Sequence, residues 1–199
     1  EKIDNSGGYT NIGYKWNERN TLTLKGSYFY YRYAIDYPGS DIEKYKSAMR
    51  EYTGELLWET RRRLFGHDHD INAGFRNVYR ENIASSVLSK QTSYSIQQLY
   101  LTDYYAFTRN LSAYIILKGE YDNLGYHHHL VFLPSLRLNY NLKKGGSLSA
   151  NYQRRITRPS GDYLNADTLF IHNFTRQVGN PNLQSQHNDA FALSWRRQI

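Results

Sequence analysis

The sequence predicts an all-β fold, an antiparallel portion of an up-and-down transmembrane β-barrel. Three observations carry this prediction: apolar and polar residues alternate within segments, short and long connections alternate along the chain, and tyrosine is abundant. Apolar residues make up 40% of the 199 residues, and no run approaches the roughly 18 uncharged apolar residues of a transmembrane helix. A barrel strand needs only about 9–11 residues with every second one facing lipid, so its mean hydropathy stays low.

Alternation with a period of two is clear in several stretches. In residues 111–121 the odd positions are apolar or small, and most even positions are polar. The same pattern recurs in residues 21–30, 132–142 and 147–157. Successive side chains of a strand point to opposite faces, so the pattern indicates strands with one apolar face and one polar face.

The pattern predicts about nine strands of a larger barrel. Several are longer than the usual 5–6 residues or so of a globular strand, as expected for strands that protrude beyond a membrane. Residues 41–50 are expected to form a short helix in a connection. The predicted strands lie near 8–17, 20–33, 48–63, 67–82, 93–107, 111–122, 129–142, 147–158 and 187–197.

Short turns and longer connections alternate in strict order along the chain. A membrane barrel has short turns on its periplasmic side and longer loops outside, whereas a soluble sandwich has no reason to sort its loops by length. The short turns are 17–20, 64–66, 109–110 and 143–146, and the longer connections are 34–47, 83–92, 123–128 and 159–186.

The composition favours a membrane surface. Twenty Tyr, eight Phe and three Trp make up 16% of the chain, and Tyr suits the aromatic girdles of a barrel because its ring is apolar and its tip polar. A soluble Tyr-rich β-sheet that binds glycan or nucleic acid is the alternative, since Tyr also favours strands.

The net charge of +7 is scattered along the chain. Scattered charges are expected at the rim and in the lumen of a barrel, with outer-membrane lipid rather than nucleic acid as the partner. The chain has no Cys, which excludes disulfides and thiolate metal sites.

Two strings that contain histidine are the best metal-like motifs. Alternation puts His67 and His69 on one side of a strand, with Asp68 and Asp70 on the other, and two His could share an ion. A polar strand start after a turn is the favoured interpretation. The three His at 127–129 are expected at an exposed loop tip.

The chain contains no Gly-x-Ser-x-Gly or His-Glu-x-x-His motif and no phosphate-binding glycine loop, so we predict no catalytic, cofactor or metal site.

Two segments carry a more specific pattern. Residues 152–160 read Tyr-Gln-Arg-Arg-Ile-Thr-Arg-Pro-Ser at the end of a predicted strand, and residues 179–183 read Gly-Asn-Pro-Asn-Leu before the next one. This pattern resembles the barrel of TonB-dependent receptors, in the outer-membrane β-barrel family common in Bacteroidetes-type bacteria. The resemblance is specific over about residues 139–195.

The motif residues have an architectural role in this resemblance. Proline ends strand pairing because it has no N–H, and a Gly-Asn-Pro stretch favours a turn. The motif residues are Arg154, Arg155, Arg158, Pro159, Gly179, Asn180 and Pro181.

The resemblance also implies a function. It implies energy-coupled import of a bulky nutrient (glycan, peptide or metal chelate) through a plugged lumen in the bacterial outer membrane. The family's barrel has about 22 strands, so residues 1–199 are expected to be part of one barrel domain, with the plug domain and the closing strands elsewhere. The implied partners are the TonB complex, through the plug region, and a surface lipoprotein. An outer-membrane porin or barrel enzyme is the alternative.

The longest connection, residues 159–186, is expected to face outside and to help recognise the ligand. Its aromatic residues and one arginine would suit a sugar or a peptide. The candidates for ligand contact are Tyr163, Phe170, Phe174 and Arg176.

Overall fold

The computed structural model describes residues 2–36, 44–85, 90–123, 128–142, 145–159, 168–172, 175–180 and 182–197. Within these ranges no helix is long and apolar enough to cross a membrane. The described strands are β1 (Lys2–Asn17), β2 (Asn20–Asp36), β3 (Lys44–Leu64), β4 (His67–Ser85), β5 (Lys90–Ala106), β6 (Leu111–Asp122), β7 (His129–Phe132), β8 (Ser135–Leu142), β9 (Gly146–Thr157), β10 (Thr168–His172), β11 (Thr175–Val178) and β12 (Gln186–Arg197).

Most of the described strands form one antiparallel sheet in chain order. The order is β1-β2-β3-β4-β5-β6-β8-β9-β12, and the short β7 pairs with β6 in line with β8. The predicted all-β, up-and-down architecture is therefore confirmed. Among the described strands, β1 and β12 are each paired on one side only, so the sheet is open. Open edges cannot persist in hydrocarbon, and we expect this portion alone to aggregate in water.

The strand expected over residues 129–142 is interrupted at Leu133–Pro134. Proline has no N–H to donate to the ladder, so the strand is divided into β7 and β8. The register nevertheless continues across the break, because Gly119 pairs with Phe132 and Ile116 with Ser135. The two short strands thus act as one neighbour of β6.

Two further expectations need correction. The helix expected over residues 41–50 is wrong wherever the chain is described, because residues 44–50 continue β3 as the partner of β2. The long connection expected over residues 159–186 contains a hairpin of its own, in which β10 pairs with β11. Strand segments outside the bilayer carry no apolar alternation. The sequence pattern therefore missed the start of β3 and the β10–β11 hairpin.

The turn between β3 and β4 consists of Phe65 and Gly66. Both have positive φ, 52° for Phe65 and 86° for Gly66. Two-residue turns with this geometry match the twist of antiparallel strands. Glycine enters this region without steric cost, whereas a side chain such as that of Phe65 rarely does. The tight turn keeps β3 and β4 in register up to Leu64 and His67.

The sheet buries polar side chains and exposes apolar ones, which is the reverse of the arrangement in a soluble protein. The buried polar residues include Glu120 and Asp122, at 2% and 0% exposure. Among the described residues, the buried hydrophobic ones are Val78, Ala113, Val131 and Leu133. A soluble domain of this size would bury its large apolar side chains instead.

Those large apolar side chains lie exposed on the other face. Leu24, Leu56, Phe75 and Leu99 occupy directly paired positions on β2, β3, β4 and β5. Each is about half exposed or more, and Leu99 reaches 68%. A continuous exposed apolar band is costly in water and stable in lipid.

The apolar band crosses the sheet diagonally. On β3 the band is centred near Glu55, between Tyr52 and Trp58. Following the strand pairings from Glu55 through β4, β5, β6 and β7 leads to the level of Thr157 on β9. On β9 the band is instead centred near Ala150. A shift of about seven residues, roughly 23 Å along the strands, over five strand steps of about 4.8 Å corresponds to a tilt of about 45°. Membrane barrels have strand tilts of about 35–45°.

The height of the band also suits a bilayer. The apolar run Leu111–Tyr121 on β6 is about 33 Å long at about 3.3 Å per residue, so a 45° tilt gives it a height of about 23 Å. The apolar band of an outer-membrane barrel is about 25 Å tall.

Tyrosine rings border the band on the side of the longer connections. Tyr28, Tyr52 and Tyr79 are paired across β2, β3 and β4 on the apolar face. Their ring centroids are 5.1 Å apart for Tyr28 and Tyr52, and 6.3 Å for Tyr52 and Tyr79. Such a row is one arc of an aromatic girdle at a membrane interface.

Candidate functional site on the polar face

Charged and hydrogen-bonding side chains form continuous rows across the face opposite the apolar band (the polar wall). One row runs through Lys25, Glu55, Arg76, Gln98 and Glu120, which are directly paired on β2 to β6. The Nζ of Lys25 lies 3.6 Å from the Glu55 carboxylate, and Gln98 Nε2 donates to Glu120 Oε1 over 2.8 Å. Opposite charges on neighbouring strands stabilise each other, so the wall can carry many charges.

Tyr100 crosses the polar wall diagonally because Gly74 leaves room for its ring. Its hydroxyl donates a hydrogen bond to Glu55, two strands away. The ring lies over Gly74 on the intervening strand, where an added Cβ would be well under 3.0 Å from Cζ and from the hydroxyl oxygen. Glycine is therefore required at this position by the close approach of a neighbouring side chain.

Gly74→Ala is expected to destabilise the full-length protein by about 1–3 kcal/mol, because the new methyl group forces Tyr100 away from Glu55. Urea unfolding of the full-length protein in detergent measures the loss. Gly119→Ala is the matched control, since its Cβ would meet nothing within 4 Å. Equal midpoints for the two variants would contradict the role given to Gly74.

A second contact group lies on the polar wall toward the longer connections. Arg80 Nε donates to Glu51 Oε2 over 2.9 Å, and its NH2 donates to the same oxygen. The guanidinium also lies 5.4 Å from the ring centroid of Tyr94. Stacking and ion pairing together fix the direction of the long Arg80 side chain.

The most buried charges of the polar wall are Glu120 and Asp122 on β6. They lie on the same face of the strand, and Arg158 binds both of them. Arg158 NH2 donates to Glu120 Oε2 over 2.6 Å, and its Nε donates to Asp122 Oδ2 over 2.8 Å. Lys118 Nζ lies 2.8 Å from Glu120, and His129 Nδ1 lies 3.3 Å from Asp122. The two carboxylates are thus fully neutralised, as burial requires.

Arg158, Glu120 and Asp122 (the Arg158 clasp) attach the start of the longest connection to the wall. Arg158 follows the last residue of β9, and the strand line of β7 and β8 separates it from β6. Burial of the guanidinium opposes its charge, but the hydrogen bonds and charges of Glu120 and Asp122 more than compensate and raise the pKa of Arg158. The clasp therefore remains ionised at any pH at which its carboxylates are charged.

The two other arginines of the motif have different partners. Arg155 donates to Gln153 Oε1, from Nε over 2.9 Å and from NH2 over 2.7 Å. Arg154 points to the opposite face and forms a two-pronged ion pair with Asp189 on β12, at 2.8 Å and 2.9 Å. The hydroxyl of Tyr152 donates to the same Asp189 over 2.9 Å. The motif thus connects the end of β9 to β6 and to β12, while the hydrogen bonds of Arg155 stay within β9.

The Gly-Asn-Pro segment contains a turn around Asn180. The N–H of Asn182 donates to Asn180 Oδ1 over 2.9 Å, and the N–H of Leu183 donates to the Asn180 carbonyl over 3.2 Å. This is an Asx turn, which follows Gly179 and precedes β12. Pro159 follows Arg158 beyond the end of β9, and Pro181 lies outside the described residues.

The ligand-contact candidates fall on the longest connection. Phe170 and Arg176 are directly opposite each other in the backbone register of the β10–β11 hairpin. Tyr163 and Phe174 lie outside the described residues. A role for these four residues in ligand contact stays a prediction.

The histidines of the first metal-like string contact an aromatic side chain. His67 and His69 both pack on Tyr105, at ring distances of 5.2 Å and 4.4 Å. His69 Nδ1 lies 2.7 Å from Asp103 Oδ2, and Asp70 accepts from Arg61 over 2.6 Å. No group of three potential ligands among the described residues is arranged to bind a metal ion.

The second histidine string is described only in part, since residue 127 lies outside the described ranges. His128 stacks on Tyr121 at 5.9 Å. His129 contacts Asp122 of the Arg158 clasp.

Comparison with known proteins agrees with this architecture. Residues 126–198 match the outer membrane protein beta-barrel family. The chain also resembles two solved receptors from Pseudomonas aeruginosa over 99% of its length. A mutant of the ferric enterobactin receptor PfeA gives a TM-score of 0.82 at 15% identity, and the siderophore receptor PirA gives 0.65 at 13%. The chain spans 33% and 44% of those proteins, respectively. No curated protein matches it in sequence.

Proposed function

We propose that this chain, which is a portion of a β-barrel of the bacterial outer membrane, forms part of the wall of an energy-coupled import receptor. The likeness to solved receptors shows the fold, and the match of residues 126–198 to an outer-membrane family supports the outer-membrane location. The resemblance recognised at Tyr152–Leu183 lies inside the matched segment. Import itself is the activity that we infer.

The observation that carries this proposal is the likeness of nearly the whole open sheet to part of a much longer receptor, at a TM-score of 0.82. A sheet of that shape would close into a wide barrel like that of the similar receptor. A barrel of about 22 strands, the number that the resemblance implies, is too wide for its side chains to fill, and the lumen of transporters of that size is plugged. A plug domain elsewhere in the full-length protein would supply the gate and the contact with the TonB complex.

The ligand class that we favour is a bulky metal chelate. Of the two solved structures compared above, one is a ferric enterobactin receptor and the other a siderophore receptor. The polar wall, with arginine and tyrosine side chains at hydrogen-bonding positions, would suit a polar ligand passing through the lumen. A glycan or a peptide remains the alternative ligand, and a surface lipoprotein is a further partner that the resemblance implies.

Energy dependence tests the proposal. A strain that expresses the full-length gene should accumulate its ligand, screened from ferric chelates, oligosaccharides and peptides, and accumulation should stop when TonB is deleted or a protonophore is added. An open porin would behave differently, since it would let small sugars swell liposomes without energy. Uptake that persists without TonB would contradict the receptor assignment.

A further inference from the structure

A depression of about 390 Å³ lies on the lipid-facing side of the sheet, over Ala150 of β9. Its sides are formed by Leu138 and Leu193, which are directly paired with Ala150 on the two neighbouring strands. Tyr152 and Phe191, whose ring centroids are 4.7 Å apart, form its end toward the longer connections. The small side chain of Ala150 between larger neighbours thus leaves an apolar gap that faces lipid.

The depth of the depression follows from the apolar band, which is centred near Ala150 on β9. Arg154 lies four residues closer to the longer connections. This spacing is about 13 Å along the strand, or about 9 Å in height at a tilt of about 45°. Half of a band about 25 Å tall is about 12 Å. Arg154 therefore lies close to the outer edge of the hydrocarbon, where the carbonyl groups of lipids are found.

The guanidinium of Arg154 is on the same face as the depression and is only partly used by Asp189. The ion pair uses Nε and Nη2, and the Nη1 group with its two N–H donors stays outside it. The side chain of Arg154 is 39% exposed, so a lipid can reach it. Arg154 and Asp189 together carry no net charge, which favours a neutral acceptor over a phosphate.

We propose that the depression binds one acyl chain of an outer-leaflet lipid, whose ester or amide carbonyl accepts a hydrogen bond from Arg154. The hydrocarbon core of a bilayer is about 30 Å thick, so one chain is about 15 Å long, which is enough to reach from Arg154 to Ala150. A charged donor strengthens the hydrogen bond, and the end of the chain gains close contacts in the gap. The site depends on the barrel fold and not on import.

Photocrosslinking tests where the chain lies. The full-length protein is placed in phosphatidylcholine vesicles that contain a phosphatidylcholine with a diazirine near the end of one acyl chain, and peptide mass spectrometry locates the adducts. Adducts should concentrate on the parts of β8, β9 and β12 that line the depression. Ala150→Leu should lower them at least about threefold, because the leucine side chain fills the gap. Ala73→Leu is the matched control, since Ala73 is on the lipid face between Trp58 and Leu101 in the register, outside the depression.

Competition with unlabelled lipids tests the hydrogen bond from Arg154. Diacyl phosphatidylcholine should displace the probe better than dialkyl ether phosphatidylcholine, which lacks the carbonyl groups. Diacyl phosphatidylglycerol, which has an anionic headgroup, should compete no better than diacyl phosphatidylcholine. Arg154→Leu combined with Asp189→Leu removes both charges of the ion pair, and in this variant the diacyl and dialkyl phosphatidylcholines should compete equally.

Three results would overturn the proposal. They are adducts that are spread evenly around the band or unchanged by Ala150→Leu, equal competition by the diacyl and dialkyl lipids in the wild type, and crosslinks from the depression to a second protein in place of lipid. Uptake that does not depend on energy, in a protein that gives the expected adducts, would count against the proposed function only.

Discussion

Arg158→Ala should lower the unfolding free energy of the full-length protein by about 3–5 kcal/mol, because it removes one partner of a buried ionic network and leaves the other charges uncompensated. Arg158 is the shared partner of Glu120 and Asp122, whose side chains are 3% and 0% exposed. Urea unfolding in detergent, followed by tryptophan fluorescence, measures the change. Proteolysis in the connection after β9 should also become faster, since its anchor is lost.

Two controls separate the Arg158 clasp from a general effect of losing an arginine. Arg137→Ala removes an exposed arginine from the same face and should change stability by less than about 0.5 kcal/mol. Combining Arg158→Ala with Glu120→Gln and Asp122→Asn removes the uncompensated charges and should recover most of the loss. A triple variant no more stable than Arg158→Ala would show that the buried charges are not the cause.

Leu138→Arg should destabilise the barrel by about 2–4 kcal/mol, because it places a charge near the middle of the lipid-facing band. Leu138 lies on β8 between Ala113 and Ala150 in the register. The next residue, Asn139, lies between Ser112 and Ser149 on the polar wall. Asn139→Arg should therefore change stability by less than about 0.5 kcal/mol.

Leu138 and Asn139 are adjacent in the chain but lie on opposite faces of the sheet, so this pair of variants tests which face meets lipid. The fraction of folded protein in outer-membrane extracts can be read from its faster migration on unheated gels, and urea titration gives the free energy. A larger loss for Asn139→Arg than for Leu138→Arg would mean that the two faces are assigned the wrong way round.

Much of the fold was predictable because lipid and water impose different demands on the two faces of one strand. The run Leu111–Tyr121 alternates so regularly that β6 is found from the sequence almost residue for residue. The ends of β3 lack such a signal: beyond the bilayer both faces meet water, so residues 44–50 read equally well as a helix. Pro134 carries a signal for the break between β7 and β8, because proline has no N–H to donate, but the strand prediction for residues 129–142 rested on the apolar alternation alone.

The polar wall was less predictable, because its contacts join residues that are far apart in sequence. Arg158 contacts Asp122 and Glu120 at separations of 36 and 38 residues, and no local pattern selects those partners. Two carboxylates on one face of a predicted strand, Glu120 and Asp122, did offer a clue, since like charges side by side require a cation. The need for Gly74 depends on the path of the Tyr100 ring, which only coordinates reveal.

The outward-facing leucines and phenylalanines bear on how such proteins diverge. Hydrocarbon requires these side chains to be apolar, but it does not require them to fit a particular neighbour, as a packed interior does. Half of each strand can thus drift among apolar residues while its hydrogen-bonded ladder stays the same. Ancestry in such a wall becomes invisible to residue-by-residue comparison long before it becomes invisible to comparison of shapes.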